Sequence, residues 1–439
     1  MQIVDYLDSN HLLHPNHHGC CSCHNTATAL IQMYDRWVED VEEGKLVGVM
    51  MIDLSAAFDM VDHSILLKKL HLFGLDEDAV KWMESYLSGR SQSVMIDGCM
   101  SPPLRIECGV PQGSILGPLM YILYTNDIPE LVHNHPTNFA TPQSFCEECG
   151  GTVCYVDDGT FSVAHTDPAT LSIKLSNQYD VTADYMAANK LVINGDKTHL
   201  IVMGSKTSGD QRRQVSLSAG EHVVTPSQTE KLLGCQISED LKWKQHILLS
   251  DQSLTKQLTS QVNGLCLISP SATFETRLMV ANGIFLSKLC YLIQLWGGCE
   301  QYLLTALQTL QNRAARAVTR LSWFTPTRVL LSKCKWLSVR QLVVYQSIIL
   351  AHKIARSGTP TALAVKMNTI HPYRTRQSST GSIRFGEQFP SSLGRGQNSF
   401  CYRSTKDYNS IPASMRSIRS LPSFKVKLKQ WILMNITIT

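Results

Sequence analysis

Apolar positions recur at helical spacing in "TATALIQMYDRWVEDVE" (26–42), where Leu30, Tyr34, Trp37 and Val41 share a face and Gly44 follows the end. The next stretch, "KLVGVMMIDLS", is an uninterrupted apolar run. It predicts a buried strand ending at Asp53. Helices are predicted near 64–73 and 77–88, and "SQSVMIDG" alternates like a strand. "GVPQGS" reads as a turn, with Ser114 placed to cap the helix "ILGPLMYILYTND". Residues 133–151 are polar and turn-rich and read as an inserted loop. "TVCYVDDGTFSVA" reads as two short strands around an Asp-Asp-Gly turn. A helix near 168–189 leads to a predicted strand pair around "KLVINGDKTHLIVMG". Beyond residue 235 the pattern is mostly helical, and 356–400, rich in Ser, Gly, Pro and Arg, reads as loosely structured.

A chain of 439 residues has room for two or three domains. The N-terminus lacks the basic-then-apolar layout of a signal peptide, and no window reaches 18 apolar residues. The expectation is an intracellular protein of nucleus or cytoplasm, not secreted and not in a membrane. Its 14 irregularly spaced cysteines are read as mostly reduced thiols. The net charge of +4 hides an asymmetry: residues 311–439 hold 21 Lys+Arg against 2 Asp+Glu, and the first 310 hold 19 against 34. A segment so poor in acids is the footprint of a polyanion-binding surface. Within it Leu303, Leu307, Leu310, Ala314 and Ala317 share one helix face, and Arg313, Arg316 and Arg320 fall on another. The arginines are candidates to track nucleic-acid phosphates, with a solvated polar face as the alternative. Trp323 and Trp336 are read as core in preference to base-stacking.

Three carboxylates stand out. Asp53 ends a buried strand, and Asp157 and Asp158 sit at a hairpin tip. If the two elements pair in one sheet, Asp53 and Asp157 can face each other across adjacent strands. Like charges that close need a cation between them, and hard carboxylate oxygens suit Mg²⁺. Two such ions about 4 Å apart clamp the attacking and leaving oxygens of an in-line phosphoryl displacement. Taken alone, an Asp-Asp-Gly turn is also an ordinary solvated hairpin turn.

"DLSAAFDMVDH", "GVPQGSILGPL", "YVDDGTF" and "NKLVINGDKTHLIVMG" follow in this order. Together they closely resemble the reverse transcriptases of non-long-terminal-repeat, jockey-like retrotransposons, and a weaker similarity runs on through "LLGCQISEDLKWKQHI", "LQNRAARAVTR", "WLSVRQL" and "SFKVKLKQWI". The resemblance implies an α+β chain: a right-hand polymerase palm of antiparallel sheet with packed helices, reduced fingers, a helical thumb and a basic, mainly helical C-terminal region. The corresponding segments are 1–45, 46–235, 236–310 and 311–439. It implies an RNA-directed DNA polymerase using two Mg²⁺ ions, an RNA template, a DNA primer and dNTPs. Asp53 and Asp157 would be the principal metal ligands, with Asp158 beside them. Phe58 would gate the sugar 2′-hydroxyl, Gln112 and Gly113 would line the nucleotide pocket, and Lys197 would assist the leaving pyrophosphate. Viral RNA-dependent RNA polymerases resemble Asp-x4-Asp here. In this chain the second acid, Asp59, comes one residue late, which favours DNA synthesis.

The chain departs from the family in places. Cys20 and Cys21 stand where Phe and a triphosphate-holding Arg are expected, and a thiol makes no bidentate phosphate contact. Gly159 replaces a hydroxyl residue and Gly195 a common proline. With its start close to the fingers motif, the sequence reads as an N-terminally truncated element copy. The rival expectation is a relic that binds nucleic acid without polymerising. His133, His135, Cys146 and Cys149, with Cys154 nearby, form a candidate structural Zn²⁺ site in the loop, against a null of free thiols. Cys20, Cys21, Cys23 and His24 form a weaker one.

Overall fold

The computed structural model describes residues 2–132, 151–220, 222–368, 385 and 396–437. They divide into two compact units: residues 1–29 with 44–227, and residues 30–43 with 228–439.

In the first unit the run "LVGVMMI" forms β1 (Leu46–Ile52), buried along nearly all its length. It is central because both neighbours must cover its unbroken apolar surface. The sheet is antiparallel with order β2 (Gly151–Tyr155), β3 (Asp158–His165), β1 and β4 (His199–Met203). β1 pairs with β3 from Leu46↔His165 to Ile52↔Gly159, and with β4 from Val47↔Met203 to Met51↔His199. Residues 16–18 extend the β2 edge: Cys154 N donates to Asn16 O at 3.0 Å and His18 N to Cys154 O at 2.8 Å.

Of helices α1 (Gln2–Ser9), α2 (Thr26–Glu42), α3 (His63–Leu72), α4 (Glu77–Leu87), α5 (Leu116–Thr125) and α6 (Pro168–Ala188), all but α1, which the sequence reading does not include, match the sequence periodicity closely. α3, α4 and α6 start on aspartates, Asp62, Asp76 and Asp167, each accepting a backbone N–H three residues on. α6 lies against the sheet at Gly48, where a Cβ would come within 2.6 Å of Leu175. Ser114 bonds the N–H of Gly117 at 2.9 Å, the capping role read from sequence.

Two expectations change. The region 190–204 holds one strand, β4, preceded by a 3₁₀ turn over Gly195–Lys197, because Asn194-Gly195-Asp196 carries turn chemistry. The segment 91–96 yields only two-residue strands, Ser91–Gln92 and Met95–Ile96, fully exposed. Its alternation has no core to face.

In the second unit, α7 (Leu254–Ile268) packs against α8 (Gln301–Thr319), which buries Leu303, Leu307, Leu310, Ala314 and Ala317 as its periodicity predicts. After α9 (Thr327–Cys334) and α10 (Val339–Ser357) comes α11 (Phe400–Ser410). The sequence segments 236–310 and 311–439 thus fall within one unit. Trp336 is core at 5% exposure, but Trp323 is 67% exposed, against the core reading. Most of 369–395 lies outside the described residues. No described helix is long and apolar enough to cross a membrane.

Buried Asp35, from the α2 segment of this unit, accepts the N–H groups of Phe400 at 3.1 Å and Cys401 at 2.8 Å and so caps α11. Two charge-assisted bonds to buried donors make this contact costly to remove. Asp35→Ala is expected to lower stability by about 3 kcal/mol, with Asp35→Asn losing less. Denaturant unfolding checks this, and an unchanged midpoint for the alanine variant refutes it.

Candidate active site

The β1–β3 ladder carries the candidate carboxylates. The ladder ends at the pair Ile52↔Gly159, with Asp53 the next residue after β1 and Asp158 the first residue of β3. The sequence reading lets Asp157 face Asp53 across adjacent strands if the two elements pair. Instead Asp157 occupies the β2–β3 turn, because Tyr155 pairs with Asp158 and leaves only Val156 and Asp157 in the loop. A two-residue hairpin turn demands positive φ, and Val156 adopts φ +58°. For a β-branched residue this conformation is strained by about 1–3 kcal/mol. Sequence reading passed over Val156. The signal was available: two residues between paired strands, neither a glycine.

Behind the turn, a Cβ on Gly19 would come within 2.5 Å of Val156 Cγ2 and 2.6 Å of its backbone nitrogen. The Gly19 of the fingers motif is therefore a direct neighbour of the acid-bearing turn.

The acids crowd one another. Burial, then the charges of Asp157 and Asp53, push the Asp158 carboxyl up to about 6 from 3.8. Beneath them the Tyr121 hydroxyl is buried and has no hydrogen-bond partner among the described residues. Burial and the charges of Asp157, Cys154 and Asp158 hold its proton firmly. Lys197 Nζ lies 3.1 Å from Asp53 Oδ2, so one acid of the cluster already has a counter-charge. Asn194 N donates to Asp53 O at 2.9 Å, which ties the turn bearing Lys197 to the end of β1.

The Phe58 ring stacks on Tyr121, centroids 4.5 Å apart at 24°. The "PQG" loop is joined to the same segment, with Val110 N donating to Phe58 O at 2.9 Å and Gln112 Nε2 to Asp59 Oδ1 at 3.0 Å. Gly109 has φ +87°, and a Cβ there would meet Asp59 Cα at 2.9 Å. Asp59, noted in the sequence only for being one residue late, is thus what orients Gln112. Gly113 sits in open space at φ +79°.

The other candidates fare differently. Cys21 is half-buried, and desolvation, followed by Asp8 and Cys20, pushes its thiol up to about 12, so it is neutral where an arginine was expected. Among the described residues no three His, Cys, Asp or Glu side chains are set to hold a metal ion, and that includes Cys20, Cys21, Cys23 and His24. His133, His135, Cys146 and Cys149 lie outside the described residues. Cys154 is buried, its thiol pushed up to about 12 by desolvation. Arg313 reaches Asn263 Oδ1 at 3.5 Å and Arg316 reaches Trp323 O at 3.1 Å. Arg320 is not on the helical stripe: it is the left-handed C-cap of α8, bonded to Ser269.

Residues 2–237 match the family described as reverse transcriptase (RNA-dependent DNA polymerase). The RNA-directed DNA polymerase from mobile element jockey of Drosophila funebris is 25% identical over 305 residues, covering 70% of this chain and 32% of that protein. The probable RNA-directed DNA polymerase from transposon X-element of Drosophila melanogaster is 23% identical over 331 residues, covering 74% and 34%. The chain spans about a third of the length of these relatives. A Candida tropicalis telomerase solved with a telomeric RNA fragment aligns over 100% of this chain and 56% of its own at 11% identity, TM-score 0.43, too loose a likeness to carry weight. The match over 2–237 takes in more than half of the chain and every residue of the β1–β3 acid cluster with its Phe58 and Gln112 neighbours; the chain belongs to the reverse transcriptase family.

Proposed function

We propose that this chain is the polymerase core of a retrotransposon reverse transcriptase, adding deoxynucleotides to a DNA primer 3′-hydroxyl on an RNA template. The observation that carries this is the convergence of Asp53, Asp157 and Asp158 at one end of the β1–β3 ladder. The donor chemistry suits a divalent cation such as Mg²⁺, with hard oxygens, burial and mutual repulsion that raise Asp158, and an unpartnered Tyr121 hydroxyl beneath, although the three side chains as they stand are not set around a metal ion. Asp53 and Asp157 would hold it, supported by Asp158. When bound, it supplies charge neutralisation and a more acidic primer hydroxyl.

The chain's own groups do the rest. Phe58, braced flat against Tyr121, closes the space a 2′-hydroxyl would need. Gln112, held by Asp59, presents a polar edge to the nucleotide. Lys197 brings positive charge to the cluster and would neutralise the departing pyrophosphate. The neutral Cys21 thiol favours a second reading, a chain that binds nucleic acid but does not polymerise.

In primer extension with Mg²⁺, the wild-type chain is expected to extend, and Asp157→Asn to fall by about 100-fold or more. Absence of extension above that variant, with RNA binding intact, selects the second reading. Phe58→Val is expected to shrink the preference for dNTPs over rNTPs by about tenfold or more; an unchanged ratio removes Phe58 from the gate.

The acid cluster also predicts a pH dependence of stability in EDTA. Above pH 6 Asp158 is ionised in both folded and unfolded chains, and the folded state carries the repulsion; below 3.8 it is protonated in both. Its contribution therefore worsens as pH rises through that window. Asp158→Asn is expected to stabilise the metal-free chain above pH 6 by about 1 kcal/mol, the exposed carboxylate being screened by water. The gain should vanish below 3.8, and an equal gain at both ends, read by thermal unfolding, contradicts the mechanism.

A further inference from the structure

The loop joining α8 to α9 puts two aromatic rings in water. Trp323 is 67% exposed and Phe324 91%. Burying either would stabilise the fold, so their display needs a reason. The loop is ordered by its own bonds: Thr325 N donates to Ser322 O at 3.0 Å, and Asn312 Nδ2 to Thr327 Oγ1 at 2.9 Å, which holds the start of α9 against α8. The Arg316 guanidinium lies 4.6 Å from the Trp323 ring centroid and donates to its carbonyl at 3.1 Å. The indole is thereby fixed in direction, not left to swing.

The sequence on either side of the rings is one-sided in charge. Between residues 301 and 386 the sequence has no aspartate or glutamate, while Arg313, Arg316, Arg320 and Arg328 flank the loop. Arg320 and Arg328 are exposed. Exposed rings amid unopposed arginines match the chemistry of an unpaired strand: bases offer faces to stack and phosphates offer charge. A partner protein's apolar patch would gain nothing from the charge, and a duplex would hide the faces of its bases.

We infer that Trp323 and Phe324 form a stacking platform for unpaired bases of a single-stranded polynucleotide, with the flanking arginines neutralising its phosphates. The inference goes beyond the polymerase reading and does not depend on it, since the platform uses none of the acid-cluster residues.

The test is equilibrium binding of the full chain in EDTA, without nucleotides, to labelled mixed-sequence single-stranded RNA, the same sequence as DNA, and a blunt duplex. The double variant Trp323→Ala/Phe324→Ala should bind single strands about tenfold or more weakly, with little change on duplex. Its log affinity against log salt should keep the wild-type slope, because no cation has been removed. Trp323→Phe, which keeps a ring, should retain most of the affinity. Arg328→Gln should instead flatten the slope by about 0.7. Whichever strand, RNA or DNA, suffers the larger loss names the ligand. Both rings are exposed, so thermal unfolding of the double variant should match the wild type. Wild-type affinity in that variant, or an equal loss on duplex, overturns the inference. None of these readouts requires primer extension, so failure here and failure of the polymerase reading are separately visible.

Discussion

Mutual repulsion among Asp53, Asp157 and Asp158 is the force that the β1–β3 ladder has to contain. Each acid is placed by backbone: Asp53 follows the last ladder pair, Asp158 opens β3, and Asp157 rides on a turn only two residues long, with Lys197 paired to Asp53 in addition. Seven paired positions on β1 and β3, each hydrogen bond worth about 1 kcal/mol net, comfortably exceed the crowding. The strain at Val156 is held in the same way. Gly48, by letting α6 press on the sheet, and the 16–18 segment, by extending its edge, make that ladder stiff enough for the purpose.

The second unit solves a different electrostatic problem. Its charge is overwhelmingly positive after residue 311, and two of its acids are committed to other groups. Asp35 is buried on two backbone N–H groups, and Glu39 holds Lys366 at 2.8 Å. Neither pairs away the arginines around the α8–α9 loop. That surface therefore keeps its charge, the condition a polyanion-binding face requires.

Where one physical signal dominated, the sequence read well. The apolar run 46–52 could only be a central strand, and the α8 stripe Leu303, Leu307, Leu310, Ala314, Ala317 went where its period pointed. The failures share a cause: they depend on neighbours distant in sequence. The placing of Asp157 turned on how many residues the hairpin loop holds, and a loop of two leaves it in the turn. The orientation of Gln112 turned on Asp59, more than 50 residues away in the chain. Trp323 has the chemistry of a core residue, yet it is 67% exposed. Arg320 left its helical stripe because the helix stops at Thr319, a boundary that periodicity does not mark.

The contact between Gly19 and Val156 sets a rule for how this sequence can vary. Trimming Val156 to a smaller residue would not make room at position 19, because the backbone nitrogen of the turn is itself only 2.6 Å from where a Cβ would sit. The glycine is thus required by main chain alone, and no compensating change across the contact restores the freedom to mutate. A lineage of this chain could keep all three aspartates and still lose their arrangement through any side chain at position 19. Counting surviving acids is then a poor measure of whether a copy is intact; the identity of one distant glycine is the more sensitive record.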